Sequence, residues 1–252
     1  MTGILAKYFS KFFIQQWIIG VARTDIKNII QSKKFDPDIK WFPIQSKSDF
    51  SADPFVYKRK EGGYDILLED YSFKDCCGKI SLLELDENLN ETDRKQLLDT
   101  GSHLSYPFIY EEGNRIFVFP EAGASGTLSC YEYDPVNKSL VFLQHVIDLP
   151  VLDSTIIKRD SKYWLFGTMR GSGADSELFV FFSERLTGPY KQHPKNPVKI
   201  SITGARPAGN IIEADGILYR PSQNSKYTYG GSITINKINK LTETDFDEEF
   251  YM

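Results

Sequence analysis

The chain repeats itself at a spacing of about fifty residues, and that one property restricts its fold more than composition does. Four copies of one phrase align: ADPFVYKRKEGGYDILLEDY from Ala52, SYPFIYEEGNRIFVFPEA from Ser105, LDSTIIKRDSKYWLFGT from Leu152 and ARPAGNIIEADGILYRPSQN from Ala205. With Asp53, Tyr106, Asp153 and Arg206 as equivalent anchors, successive copies lie 47–53 residues apart. Each copy holds an apolar run, a charged or glycine-bearing turn (60–63, 111–114, 159–161, 214–216) and an aromatic, β-branched run. That is the pattern of a β-hairpin. Alternating stretches at 79–85, 127–133 with 140–146, 177–182 and 232–238 supply third and fourth strands.

Four strands per fifty-residue unit predict an all-β chain folded as a β-propeller. A sandwich also has short strands, but it has no reason to repeat a phrase at this spacing. The copies cover about residues 50–240 of a single domain spanning 1–252, and a further copy would begin past the last residue. Five blades are expected, the fifth degenerate, shortened or closed by both termini: residues 17–22, 41–44 and the tail 246–251 would pair and remove the open edges of the ring.

The charge balance, 30 Lys+Arg against 34 Asp+Glu for a net −4, lacks the basic excess that phosphate-backbone binding needs, which excludes a nucleic-acid partner. Cys76, Cys77 and Cys130 are odd in number and lack metal-ligand spacing, so they read as reduced thiols of a cytoplasmic protein. Lys7, Lys11, Gln15 and Gln16 interrupt the apolar first twenty residues, which therefore make neither a signal peptide nor a membrane span. Ile4, Leu5, Tyr8, Phe12 and Phe13 keep a helical spacing, so membrane contact is expected only through this segment, as an amphipathic surface helix. The loop Gly171–Asp175 lacks the lysine and following helix of a phosphate loop and reads as a hairpin connection. The acidic tail Glu243, Asp245, Asp247, Glu248 and Glu249 reads as a solvated end. No cofactor and no metal site is expected.

In a propeller, equivalent repeat positions converge on the central channel. Asp53, Tyr106, Asp153 and Arg206 form one such ring, and Glu69, Glu121, Thr168 and Arg220, 14–16 residues after their anchors, form another. Carboxylates meeting in one pocket suit glycosidic chemistry, in which one acid protonates the leaving oxygen and another activates water or attacks carbon. Asp53, Glu121 and Asp153 are the catalytic candidates, with Glu121 as the acid because it follows the apolar run 116–119 and emerges from a buried strand. Glu69, His103, Ser105, Tyr106, Arg206, Arg220, Gln223 and Tyr229 are the candidate substrate-binding residues. The two arginines offer donor forks matched to an anionic group, or each holds a pocket carboxylate ionised. Asp53 and Asp153 have a plainer reading as turn caps. Tyr106, Trp164 and Tyr229 are candidate sugar-stacking rings.

The phrases ADPF, LLED, HLSYPF, FPEA, LDST, KYWLFGT, GARPAGN, YRPSQN and YGGSI resemble the N-terminal propeller domain of plant glucosamine inositolphosphorylceramide transferases and its bacterial relatives. The resemblance spans about residues 50–240. More distantly, that domain is similar to arabinanase- and invertase-type glycoside hydrolases. The resemblance implies five blades, a carbohydrate-linked role and a separate transferase domain or protein as partner. Two functions follow: hydrolysis or transfer of a glycosyl unit, or non-catalytic binding of a glycan, sugar phosphate or sugar nucleotide.

Overall fold

A computed structural model describes residues 15–43, 46 and 49–252. The segment with Ile4, Leu5, Tyr8, Phe12 and Phe13 lies outside them. A strand β1 (Ile19–Ala22), a helix α1 (Ile26–Ser32) and a strand β2 (Ile39–Phe42) precede the repeats. The first copy forms β3 (Asp49–Lys58), β4 (Tyr64–Ser72), β5 (Cys77–Leu85) and β6 (Glu91–Leu98), hydrogen-bonded in that order. The second forms β7 (Ser105–Glu112), β8 (Arg115–Glu121), β9 (Leu128–Asp134) and β10 (Ser139–Ile147). The third holds β11 (Val151–Arg159), β12 (Lys162–Met169), β13 (Glu177–Ser183) and β14 (Lys191–Gln192), with β15 (Lys199–Ile200) also paired to β13. The fourth holds β16 (Ile212–Ala214), β17 (Ile217–Asn224), β18 (Ser232–Leu241) and β19 (Phe246–Phe250).

The fold is an all-β propeller, and the described residues build four blades, not five. Among the described residues, the expected pairing of the two termini does not occur. Strand β1 pairs only with β2, while the tail strand β19 pairs with β18 as the outer edge of the fourth blade. Packing joins the ends instead. Ile19 and Phe42 bury against Ile66, Leu68, Leu83 and Leu85 of the first blade, and Ile30 of α1 buries against Ala214 and Tyr219 of the fourth. The Tyr251 hydroxyl donates to the Ile30 carbonyl (3.2 Å), and Lys33 sits 4.0 Å over the Tyr251 ring. A two-stranded sheet and one helix thus bridge the last blade to the first. A full blade is unnecessary where apolar faces on both sides are already covered.

Second and third strands are buried on both faces because each blade lies between two neighbours, so β4 and β12 read as near-continuous apolar runs rather than alternating ones. Trp164 belongs to this packing: it is 3% exposed between the third and fourth blades and not a sugar platform. The predicted hairpin turns form as read, with Asp160 and Ser161 (φ 51° and 63°) and Asp215 and Gly216 (φ 53° and 76°) in the left-handed conformation that two-residue hairpins require.

The acidic tail is only partly a solvated end. The Glu248 side chain is 1% exposed and accepts from Arg220 and from Lys199 (2.8 Å). Among the described residues, no helix is long and apolar enough to cross a membrane.

Candidate active site

The repeat anchors mark a shared backbone device. Register shifts between Ala52 and Phe55, Ser105 and Phe108, and Leu152 and Thr155 place a β-bulge in the inner strand of each of the first three blades. At each bulge the anchor is left-handed: Asp53 at φ 51°, Tyr106 at 43° and Asp153 at 48°. That conformation is strained for residues with a Cβ, and bulges re-aim side chains next to binding sites. In the fourth blade Arg206 has no positive φ, and Pro207 makes only an isolated bridge to Ser222.

The bulges link the blades around the channel. The Asp53 carboxylate accepts the Tyr106 backbone N–H, Glu121 Oε2 accepts the Asp153 N–H at 3.0 Å, and Asp153 Oδ2 accepts Arg206 Nε. Each acid holds the anchor of the following blade, so one carboxylate both faces the channel and fixes the neighbouring strand.

A cavity of about 430 Å³ opens where these strands converge. Asp53, Glu69, His103, Ser105, Tyr106, Glu121, Arg206, Gln223 and Tyr229 line it. Asp153 is 2% exposed and lies beneath, held by Arg206 and by Gln223 Nε2 at 2.9 Å. Tyr106 lends its ring to the wall, while its hydroxyl is spent on Thr155 (2.9 Å) and the Gly209 N–H (2.7 Å).

Arg220 does not belong to the site. It is 0% exposed, and its donors are consumed by Glu248 and by the Ala205 and Gly204 carbonyls. Arg206 is no free fork either: Nη1 donates to Asp175 at 3.0 Å, Nε to Asp153, and its guanidinium lies 5.3 Å from the Tyr229 ring centre. The expectation of an arginine-held anionic group is therefore left with the Nη2 end of the fork, which stands 3.9 Å from Glu121 Oε2. Both arginines instead hold carboxylates.

Burial dominates the acid–base character. It pushes Glu69 up to about 9, with the charges of Asp53, Asp153 and Asp70 adding to it. It pushes Asp53 up to about 7, raised further by Asp153 and opposed by Arg206 and the Tyr106 N–H. Glu121 is also held well above the usual carboxylate range by burial and Asp153. His103 is lowered by burial and by Arg170.

Of the cavity's aromatic wall, sequence reasoning named Tyr106 and Tyr229 and missed Trp17, Phe50 and Tyr71. Phe50 and Tyr71 stack 4.7 Å apart, and Trp17 meets Tyr229 edge-on at 6.5 Å; all four line the cavity. Tyr71 closes the repeat phrase two residues after Glu69, and Phe50 lies just before the phrase, three residues ahead of Asp53. Trp17 comes from outside the repeat and carried no signal. Asp175 was hidden in the glycine-rich loop. Period-two alternation divides Glu69 from Asp70: the first faces the cavity and the second turns to Arg94 and Ser51.

A family model described as Glucosamine inositolphosphorylceramide transferase 1, N-terminal, matches residues 42–250. The chain belongs to this family. The glucosamine inositolphosphorylceramide transferases 1 of Oryza sativa subsp. japonica (31% identical over 207 residues) and Arabidopsis thaliana (32% over 208) each match 80% of this chain. The chain spans only 28% and 27% of their lengths.

Solved structures with the same fold include an exo-β-1,3-galactanase variant from Phanerochaete chrysosporium with β-1,3-galactotriose (12% identical, TM-score 0.64, 80% of this chain and 51% of that one). A family 117 glycoside hydrolase from Zobellia galactanivorans (13%, TM-score 0.64, 84% and 72%) is also similar. So is a β-xylosidase/α-arabinofuranosidase from a compost microbial metagenome in complex with xylotriose (12%, TM-score 0.57, 77% and 72%). For the transferase N-terminal family, these likenesses carry the propeller architecture.

Proposed function

We propose that the cavity takes an uncharged glycosyl unit and that its carboxylates cleave the glycosidic bond or transfer the sugar. One observation carries this reading: Asp53, Glu69 and Glu121 line a single aromatic-walled cavity whose one arginine is already committed to Asp153 and Asp175. Stacking faces and unspent carboxylates suit hydroxyls and the positive charge that develops at an anomeric carbon. Asp53, half-buried at a bulge, supplies the electron pair, either to carbon or to the proton of an attacking water. A protonated glutamate supplies the proton to the leaving oxygen. Arg206 donates to Asp153 beneath the site and so fixes the floor of the cavity.

The likeness to structures solved with galactotriose and xylotriose supports sugars as the ligand class to test first. The greater length of the curated relatives supports a propeller that works beside a separate transferase domain.

A second reading, recognition without chemistry, is favoured by the closed Asp153–Arg206 pair. One panel separates the two: neutral oligosaccharides, N-acetylhexosamines, sugar phosphates and sugar nucleotides tested by thermal shift with product analysis. Turnover that Asp53→Asn abolishes while binding persists supports catalysis. Binding with no product from any ligand leaves a recognition module.

A further inference from the structure

Burial raises two glutamates in the cavity wall, and they differ in the partners that the protein gives them. Glu121 faces inward: its carboxyl accepts the Asp153 N–H and hydrogen-bonds the Asp153 carboxylate, with Arg206 Nη2 3.9 Å away. A proton on Glu121 therefore already has a protein acceptor in Asp153. Glu69 has none. Its Oε1 is buried without a hydrogen-bond partner among the described residues, in a residue 5% exposed that lines the cavity. An unpartnered polar atom at this depth is rare, and a buried acid that the fold leaves unsatisfied at the wall of a cavity is where a functional role is looked for first.

The surroundings of Glu69 are built for it. Gly78 leaves the room: a Cβ there would stand 2.2 Å from Oε1 and 2.5 Å from the Leu104 carbonyl. His103 covers the other side, with Nε2 at 3.7 Å from Oε1. Its Nδ1 accepts the Gly78 N–H at 2.9 Å, so the neutral ring carries its hydrogen on Nε2, facing Glu69. That hydrogen stands opposite the negative charge that forms when Glu69 releases its proton.

We propose that Glu69 is the residue that delivers a proton to the bound glycoside, and that Glu121 is a positioning residue for the Asp153–Arg206 cluster; the assignment rests on the glycosyl chemistry proposed for the same cavity. As the anomeric C–O bond breaks, its electron pair goes to the leaving oxygen, which takes the Glu69 proton and departs as an alcohol. Asp53 provides the balancing pair, to carbon or to a proton of the attacking water. Glu69 remains as a carboxylate beside His103 Nε2–H, and is reprotonated from water or from the incoming hydroxyl. Burial and the charges of Asp53, Asp70 and Asp153 favour that return.

The test compares Glu69→Gln and Glu121→Gln on β-1,3-galactotriose, whose leaving group needs a proton, and on 2,4-dinitrophenyl β-galactoside, whose leaving group does not. Xylotriose and the dinitrophenyl xyloside form the second pair. Glu69→Gln is expected to lose roughly 10²–10⁴-fold on the oligosaccharide, to lose far less on the aryl glycoside, and to lose the alkaline limb of the pH profile. Glu121→Gln is expected to slow both substrates equally. Leaving-group dependence in Glu121→Gln instead of Glu69→Gln overturns the assignment.

Infrared difference spectra on adding either trisaccharide give a readout independent of turnover. The protonated-carboxyl band that shifts on binding should vanish in Glu69→Gln, and its persistence also overturns the assignment. A wild-type band shift without turnover of any glycoside rejects the cleavage reading while leaving Glu69 as the proton-bearing contact. Absence of binding by both sugars rejects both.

Discussion

Two buried acidic sites in the first blade's surroundings show how charge balance separates a latch from a reactive pocket. Asp65, 0% exposed, accepts from Arg59 (2.6 Å), from Lys138 with both oxygens (2.9 and 2.8 Å) and from the Tyr133 hydroxyl (2.8 Å). Every lone pair there has a donor, and the cluster clamps the first blade to the second. In the cavity, Asp53, Glu69, Glu121 and Asp153 share one guanidinium, that of Arg206. Cations saturate the first site and starve the second, where burial and mutual repulsion raise Asp53, Glu69 and Glu121 and leave them to take up ligand groups instead.

Breaking the latch should give the largest effect. Asp65→Ala leaves Arg59 and Lys138, each mostly buried, with Glu84 as their one shared carboxylate (3.6 and 3.4 Å), and is expected to cost about 3–5 kcal/mol in denaturant unfolding, while the fraction that folds binds sugar normally. Arg206→Ala does the equivalent at the cavity. It leaves Asp153 with Gln223 and the Glu121 carboxyl as side-chain partners and is expected to cost about 3 kcal/mol, but here glycan affinity falls as well. An Asp65 variant that loses sugar binding without loss of fold would erase the contrast between the two sites.

Gly78→Ala sharpens the comparison from the backbone side. The added methyl meets the Glu69 carboxyl and the Leu104 carbonyl, and overpacking of this kind costs about 1–3 kcal/mol. Turnover should fall more steeply than stability, as read by kcat/KM against the melting temperature.

The two sites should also differ in their response to pH. Glu69 and Asp53 are raised to about 9 and about 7 from 4.5 and 3.8, so the folded chain keeps protons that the unfolded chain has released. Their stabilisation is complete below about pH 4 and is lost as pH rises through each folded value. Melting temperature should therefore decline from acid towards alkaline pH, and Glu69→Gln should flatten the upper part of that decline. An unchanged slope in Glu69→Gln would place the titration elsewhere.

Much of this was legible in the chain. The fifty-residue phrase located four blades, and its anchors proved to be the bulged residues of the first three. The fifth blade was not legible, because closure here rests on apolar burial by β1, β2 and α1 rather than on a repeated strand pattern. Arg220 misled for a definite reason: its repeat position matches Glu121, yet its partner Glu248 lies in a tail whose composition looks solvated. Glu69 was placed in the site by its offset from Asp53, but its unpartnered oxygen depends on Gly78 and His103, which only the folded blade brings beside it.

The most direct measurement is an equilibrium titration of wild type, Asp53→Asn and Glu69→Gln with β-1,3-galactotriose, xylotriose and a hexose phosphate. A cation-poor carboxylate cavity should bind the neutral trisaccharides at least tenfold more tightly than the phosphate, and both variants should alter that binding. Preference for the phosphate, undisturbed by either substitution, would contradict the account and return Arg206 to the role of an anion receptor.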